Sequence, residues 1–490
     1  MKKLLIVSIL VIFVAMHGSS FCGFYVSKAD GTLKNKTSQV ILVRDGDHTV
    51  ITMYNDFKGD VKDFAMVVPV PVVLQKKDIK VVDDGIFKIL NDYSSPRLVE
   101  YFDENPCSPR IMYDKMVAMS PSSGMNKAKE SGLSGKMHGV TIEASYTVGE
   151  YDILILSAKE SNGLKTWLIN NGYKIPKGAE EVLEPYIKSN LKFFVVKVNL
   201  KEKEKAGLEN LRPIQISFNS PKFMLPIRLG MANSDGDQDL VVYAFTRQGR
   251  IETTNYRTLA IPTGEKVTLF VQNTFSDFYS SLFQHQWKRE DKSVAFMEYA
   301  WDVSPSNYVK CDPCVSNPPD NNNLISAGVW WIGNNAPTDY EQYDGGKHNV
   351  YFTRLHIRYN RKAFPQDLFF QVTPNKESFQ ARYVITHPAE GQFNCEAGKK
   401  YLVDLRSRRH KEMQNLSWLT GKNALDWKVS MLDEENREVG DESSYVSVAH
   451  EMERVDDGLS PGSGMLLATG VVLGCLMMRH LGGKGVGEKV

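Results

Sequence analysis

The sequence lacks the short signatures that identify several common enzyme classes. It contains no phosphate-binding loop and no glycine-rich dinucleotide fingerprint. Its ten histidines are scattered, and none forms the His-x-x-x-His spacing that puts two metal ligands on one helical face. Asp235, Asp237 and Asp239 alternate around Gly236, but the bidentate glutamate of a calcium loop is missing, so we predict a turn there. We expect no metal and no cofactor, and a non-catalytic role is favoured.

A dominant charge of one sign is also absent. The formal net charge is +1, so no global field draws the chain to nucleic acid, and we expect no nucleic-acid partner. Hydrophobic residues make up 42% of the chain and aromatic residues 10%, which predicts a folded core and excludes wholesale disorder. A length of 490 residues is enough for two or three domains.

The N-terminus has the pattern of a secretory signal peptide. Lys2 and Lys3 precede an apolar run at 4–15 that only Ser8 interrupts, and this run is too short to favour a membrane span. Small residues up to Ser20 predict cleavage after that residue, with an uncleaved anchor as the alternative. We therefore expect residues 1–20 to direct export across a bacterial-type inner membrane.

A second apolar stretch lies near the C-terminus. Residues 464–480 follow a linker at 456–463 and form a candidate transmembrane or sorting helix that ends in Arg479 and His480. Its uncharged part of about fifteen residues spans roughly 22 Å as a helix, which is short for a bilayer core. We expect a single-pass anchor that leaves the body on the periplasmic or cell-surface face of a membrane. A buried helix and a processed sorting signal are the alternatives.

Residue patterns between these ends predict many strands and few helices. Asp-Gly at 45–46 separates two strand-like runs and indicates a hairpin. No regular strand–helix alternation appears, so the predicted fold class is α+β: mainly antiparallel β-sheet with a few packing helices, plus the N-terminal signal helix and the C-terminal hydrophobic helix. A polar break at 201–205 divides the body into an N-terminal α+β domain (21–200), with a mobile loop at 116–139, and a C-terminal β-rich domain (206–455).

Several segments resemble one bacterial family. They are SQVILVRDGDHTVITMYNDFKGD with FAMVVPVPVVL (38–74), SSPRLVEYFDENPC (94–107), LPIRLGMAN (225–233), GRIETTNYR (249–257), CDPC (311–314), and TRLHIRY, AFPQDLFFQVT and FQARYV within 353–384. Together they are similar to the family classed as domain of unknown function 2330, over most of the chain between signal and tail. The resemblance implies export and a shared fold. It supplies no catalytic residues, because the family has no settled activity.

The cysteines are candidates for disulfide or redox chemistry. Cys475 lies in the tail, which leaves five in the exported body: Cys22, Cys107, Cys311, Cys314 and Cys395. An oxidising compartment favours disulfides, and an odd number leaves one thiol over or paired between molecules. We predict one bridge between Cys22 and Cys107, because both bracket the first predicted sheet.

The segment Cys311-Asp312-Pro313-Cys314 is the most specific cysteine motif. In a redox-active pair of this spacing, one thiolate attacks and its neighbour resolves the mixed disulfide. The prolines and asparagines that follow are a poor start for the helix that would activate such a thiol. A structural disulfide in a long loop, with Cys395 as a further partner, is therefore favoured, and half of a zinc site is a third interpretation without a second paired motif.

A run of alternating residues forms a candidate anion-binding strip. On a strand, Arg354, His356 and Arg358 share one face, while the residues between them face the core. Arg382 on a neighbouring strand would join them in binding a carboxylate, phosphate or sulfated glycan. The alternative, which we favour, is that these cations pair with carboxylates across the sheet. The candidate partners are Asp367, Glu298 and Glu252.

These patterns together favour an exported envelope protein with a binding or structural role. We expect it to be held in a membrane by its C-terminal helix and to contact an envelope protein or polymer. Trp330 and Trp331 are interpreted as core residues. The alternative function is an extracytoplasmic enzyme of thiol-disulfide or hydrolytic type, which uses the Cys311/Cys314 loop or the strand that carries His356.

Overall fold

A computed structural model of the protein defines the secondary structure. It describes residues 24–26, 34–35, 38–54, 57–58, 65–108, 140–159, 161–171, 179–207, 211–233, 236–307, 316–333, 346–423 and 427. The strands are β1 (Phe24–Val26), β2 (Lys34–Asn35), β3 (Ser38–Asp45), β4 (His48–Tyr54), β5 (Phe57–Lys58), β6 (Ala65–Val70), β7 (Ile79–Val81), β8 (Arg97–Phe102), β9 (Val140–Val148), β10 (Tyr151–Ala158), β11 (Lys192–Val198), β12 (Ile214–Asn219), β13 (Met224–Leu225), β14 (Gln238–Thr246), β15 (Ile251–Thr253), β16 (Arg257–Ala260), β17 (Val294–Asp302), β18 (Tyr351–Tyr359), β19 (Leu368–Val372), β20 (Phe379–Gln380) and β21 (Arg382–His387). The helices are α1 (Gly85–Ser94), α2 (Ser161–Asn170), α3 (Ala179–Lys188), α4 (Leu200–Lys205), α5 (Phe275–Arg289), α6 (Asn321–Ala327) and α7 (Glu396–Thr420).

The predicted α+β class with mainly antiparallel sheet is confirmed. Most strand pairs of the described residues run antiparallel, while β3 with β14 and β16 with β17 run parallel. The predicted signal helix, the loop at 116–139 and the hydrophobic helix at 464–480 lie outside the described residues. No described helix is both long enough and apolar enough to cross a membrane.

The chain divides into two compact units. The first comprises Met1–Val99, Lys115–Gly264 and Phe283–Tyr383, and the second Glu100–Asp114, Glu265–Leu282 and Val384–Val490. The predicted boundary at 201–205 does not separate them, because that segment lies in helix α4 inside the first unit. Strand β3 pairs with both β4 and β14, so residues from both sides of the predicted boundary build one sheet.

The first unit is built on a large sheet. Its strands follow the order β16-β17-β18-β14-β3-β4-β12-β7, and β20 pairs with β17. Strand β3 is buried along nearly its whole length because both faces of the sheet are covered: Val40 and Leu42 face one apolar cluster, while Ile41 and Val43 face another. This period-two division, with no polar face, is typical of a central strand.

Four layers make up the first unit. The face of the large sheet that carries Val40 packs on a second sheet of order β1-β6-β11-β10-β9. The opposite face is covered by α1, with Ile86 and Leu90, and by α6, with Leu324. Helices α2 and α3 pack on the outer face of the second sheet through an apolar cluster of their own. The stack is thus helix, sheet, sheet, helix.

Helix α6 contradicts one interpretation of the sequence. The helix is followed by a turn at 328–332. The asparagine run is a helix start after all, because the Asp320 side chain accepts the backbone N–H of Asn323 and caps α6.

The second unit centres on helix α7. Its N-cap is Cys395, whose Sγ accepts the backbone N–H of Gly398 at 3.3 Å. Arg409 and Glu412 form an ion pair of 2.9 Å on the buried side of the helix. Tyr401 donates its hydroxyl to Asp103, which also pairs with the helix at Arg408. This long helix is therefore fixed in its unit by polar contacts as well as apolar ones.

Candidate functional site

Strand β18 presents its three cations on one face, as the alternation predicts. Leu355 and Ile357 point into the apolar cluster between the two sheets and are fully buried. Arg354, His356 and Arg358 point to the opposite face, which α1 and α5 cover. Their side chains are 7%, 16% and 18% exposed, so the predicted strip is not a free surface.

A carboxylate placed by an irregular strand meets the first two cations. The register of β17 against β18 shifts between Met297 and Tyr299, which leaves Glu298 as an additional residue in a β-bulge. The Glu298 side chain is fully buried and accepts hydrogen bonds from Arg354 Nε at 2.6 Å and from His356 Nδ1 at 2.8 Å. The bulge thus aims a charged group at the covered face, as bulges commonly do.

His356 lies between two carboxylates. Its Nδ1 contacts Glu298, and its Nε2 lies 3.4 Å from Asp239 Oδ1. Both ring nitrogens face acceptors, which requires the doubly protonated imidazolium. Burial alone lowers the pKa of His356, but the charge of Glu298 and the hydrogen bonds with Asp239 and Glu298 outweigh it and raise that pKa to about 9. The ring also stacks on Phe283, with centroids 4.0 Å apart.

Asp239 closes the group by binding Arg358. The two side chains form a bidentate pair, with Nε to Oδ1 at 2.8 Å and Nη2 to Oδ2 at 2.9 Å. Burial alone raises the pKa of Asp239, but hydrogen bonds from His356 and Arg358 hold it well below its usual range. The Arg358 guanidinium lies over the rings of Phe283 and Trp287, which shields it from water.

Arg354 extends the group to helix α1. Its Nη1 donates to Asn91 Oδ1 and to Ser95 Oγ, each at 3.0 Å. The guanidinium also lies over the ring of Tyr243, 5.4 Å from its centroid. We call Asp239, Glu298, Arg354, His356 and Arg358 the charge cluster.

The charge cluster is arranged for internal pairing. Of the three carboxylates predicted to pair with these cations, Glu298 does so. Glu252 pairs instead with Arg250, and Asp367 accepts a hydrogen bond from the Tyr186 hydroxyl. Arg382 lies on β21, which pairs with β8, so it is not on a strand beside β18. An external anion would have to compete with carboxylates already in place. Breaking such buried pairs costs several kcal/mol, so the geometry supports a structural role for these residues.

A second group of polar and aromatic side chains lies at the β3–β4 hairpin of the first unit. Helix α6 ends at Gly328, whose left-handed φ of 104° suits glycine, and an added Cβ would lie 2.7 Å from Val50. Val329 and Ile332 then bury their side chains, and Trp330 between them is 40% exposed. The interpretation of Trp330 as a core residue is therefore wrong. The sequence signal for this exposed site was the pair of adjacent tryptophans that begins two residues after Gly328.

Arg247 joins these tryptophans to the hairpin. Its guanidinium lies 5.0 Å from the Trp331 ring centroid and pairs with Asp45 at 2.7 Å. Trp330 meets both Trp331 and His48 edge-on, at centroid distances of 4.9 and 4.4 Å. We call Asp45, His48, Arg247, Trp330 and Trp331 the hairpin-end cluster. Arg247 and Asp45 also line a hollow with about 350 Å³ of empty space, part of it open to solvent.

The cysteine predictions have a mixed outcome. Cys107 is bonded to Cys395, with the Cα atoms 5.8 Å apart, so the predicted Cys22–Cys107 bridge is wrong. The pairing is set by tertiary contact across 288 residues and could not be read from spacing. Gly398 permits it, since a Cβ there would lie 2.6 Å from Cys107 Sγ. Cys22, Cys311 and Cys314 lie outside the described residues, so their redox role stays a prediction.

The comparison with known families agrees with the resemblance. A family model described as "Uncharacterized protein conserved in bacteria (DUF2330)" matches residues 16–371. The chain belongs to this family. Neither the curated proteins nor the solved structures contain a match to the chain. The description of the family names no activity, so only the residues of this chain bear on its function.

Proposed function

We propose that this DUF2330 chain is an exported envelope protein, held in a membrane by its C-terminal tail, that binds a component of the cell envelope through the hairpin-end cluster. The body lies on the periplasmic or cell-surface face, and the partner is an envelope protein or polymer. The role is binding or structural rather than catalytic.

Two observations support the exported address. The N-terminal pattern ending at Ser20 has the charged, apolar and small-residue parts of a secretory signal. The Cys107–Cys395 bond joins positions 288 residues apart, and such bonds form and persist mainly in oxidising compartments. The apolar stretch at 464–478, followed by Arg479, supports retention with the tail on the cytoplasmic side.

The observation that carries the binding role is the exposure of Trp330 beside Arg247. Tryptophan and arginine are the residue types most enriched among energetic hot spots of interfaces. Here one indole is 40% exposed and the adjacent guanidinium 31% exposed, on a rigid frame of buried neighbours. A pre-organised aromatic group loses little side-chain freedom on binding.

The buried charge cluster supports a non-catalytic reading of strand β18. A hydrolytic base must reach a substrate, whereas both nitrogens of His356 are held by carboxylates and its ring is covered by Phe283. No contact among the described residues favours the enzymatic alternative.

Export and retention are tested by fractionation. We expect a chain with a C-terminal reporter to sediment with membranes, and its body to be digested by protease added outside the inner membrane. A chain ending at Asp457 should instead be soluble and exported. Protection of the body from external protease in both chains would contradict the address.

The binding surface is tested by a matched pair of tryptophan variants. Trp330→Ala removes the exposed indole of the hairpin-end cluster, and Trp418→Ala removes one of similar exposure (47%) from helix α7. We expect co-sedimentation of the tail-less chain with isolated envelopes to fall at least about tenfold for the first variant and to stay unchanged for the second. An equal loss in both variants, or in neither, would overturn the assignment of the surface.

A further inference from the structure

A cleft opens between the two sheets of the first unit. It holds about 560 Å³ of empty space, but this volume includes open solvent, and the part enclosed between the sheets is narrow. Its deep wall is apolar and comes from β4, β6 and β12, with Ile51, Met53, Val68 and Ile216 all buried. The cleft is thus a gap in the main apolar core, where the two sheets do not close on each other.

The strand pattern explains why the gap exists. Strand β1 pairs with β6 only at Ala65, Met66 and Val67, so the later residues of β6 have no partner on that side among the described strands. Pro69 and Pro71 follow, and proline has no N–H with which to bind another strand. Pro226 also lines the opening. The rim therefore exposes few backbone donors that would need a partner strand.

The mouth of the cleft is polar on one side. Lys222 lines it and is exposed, and no ion pair joins its ammonium to a carboxylate within the part of the chain that the structure describes. Ser220 is beside it, with its hydroxyl accepting the Lys222 backbone N–H and keeping its own proton to donate. An apolar trough with one cation and one hydroxyl at its entrance complements an apolar chain with an anionic end.

We infer that this cleft binds a free, single-chain acyl carboxylate, with the hydrocarbon chain between the two sheets and the carboxylate beside Lys222 and Ser220. The site is separate from the hairpin-end cluster, and the inference stands whether or not the chain is anchored in the envelope. No covalent step is involved.

Filling the cleft tests the position of the hydrocarbon chain. The probe is dodecanoate, titrated calorimetrically into the full-length chain held in amphipol. Met224→Trp and Leu191→Trp each place an indole into the cleft from a half-buried position. We expect either variant to weaken binding at least about tenfold. Val403→Trp, at a position 65% exposed on α7, is the matched control and should bind like the natural chain.

Changing the cation tests the position of the carboxylate. Lys222→Gln should weaken dodecanoate binding about tenfold and leave binding of 1-dodecanol unchanged, because the alcohol has no charge to lose. Lys80→Gln, at another exposed lysine of the same unit, should change neither. Equal effects of the two lysine variants would overturn the assignment of the mouth.

A separate arm distinguishes a free acyl carboxylate from a membrane lipid. Phosphatidylglycerol vesicles replace dodecanoate, and binding of the tail-less chain is measured by flotation. We expect the tail-less chain with Met224 and the tail-less Met224→Trp variant to float with the vesicles to the same extent. No dodecanoate binding by the natural chain, or flotation that depends on Met224 without such binding, would overturn the inference. If both indole variants melt early, the Lys222 and Lys80 pair decides.

Discussion

The charge cluster and the hairpin-end cluster contain the same residue types but differ in their exposure to solvent. In each, an arginine lies over a tryptophan and binds an aspartate: Arg358 with Trp287 and Asp239, and Arg247 with Trp331 and Asp45. The first group is covered by helices, and every charge in it meets an opposite charge. The second is open at Trp330. Burial rather than residue type separates a stabilising group from a surface available to a partner.

The largest expected effect comes from removing the central carboxylate. Glu298→Gln leaves Arg354 and His356 buried without their shared counter-charge, so we expect the free energy of unfolding to fall by about 3–5 kcal/mol. Urea denaturation of the full-length chain in micelles measures this. Glu184→Gln, which breaks an exposed pair with Lys188, should cost about 0.5 kcal/mol or less. Similar losses in both variants would mean that the buried carboxylate stabilises the fold no more than an exposed one.

Loss of the His356 charge should produce a defined pH dependence. The folded pKa of about 9 lies above the ordinary value of 6.5, so the stabilisation is fully present below pH 6.5 and is lost as pH rises through 9. Its size is on the order of 2–3 kcal/mol. We expect the natural chain to lose this amount between pH 6.5 and 9.5, and His356→Gln to abolish that slope. His48→Gln should retain it, and a slope left intact in His356→Gln would refute the assignment.

Arg358 and Arg247 allow the most direct comparison of the two clusters, because each binds an aspartate and lies over a tryptophan. Arg358→Ala leaves Asp239 beside His356 in a covered site, whereas Arg247→Ala leaves Asp45 near solvent. We expect the first variant to lose at least about 2 kcal/mol of unfolding free energy, and the second less than about 1 kcal/mol. Thermal melts of the two variants side by side would show whether burial, as claimed, decides the cost.

The smallest effect on stability is expected at the exposed indole. Trp330→Ala should change the free energy of unfolding by no more than about 1 kcal/mol, because much of the ring is already in water. Trp287→Ala, at a position 1% exposed, should cost about 3–5 kcal/mol. A large loss at Trp330 would mean that it is a core residue after all.

Features set by neighbouring residues could be predicted from the sequence. The Asp-Gly hairpin between β3 and β4 follows from turn chemistry, and Gly46 there takes the expected positive φ. The shared face of Arg354, His356 and Arg358 follows from strand geometry alone. The family could also be identified from the sequence, because the segments between the signal and the tail resemble it.

Features set by distant residues could not be predicted in the same way. Glu298 reaches His356 only because a bulge displaces it, and no pattern in β17 marks that bulge. Asp239 was interpreted as part of a turn because its partners lie more than a hundred residues away. The Cys107–Cys395 bond and the shared sheet across 201–205 are likewise consequences of tertiary pairing.

The central claim, that the cations of β18 are neutralised inside the protein, is tested most directly at His356. Histidine selectively labelled with ¹³C and ¹⁵N is titrated by NMR in the natural chain, and the His356 signal is assigned by its loss in His356→Gln. We predict an imidazolium that titrates with a pKa of about 9, with both ring nitrogens protonated at pH 7. A pKa at or below 6.5 would contradict the account.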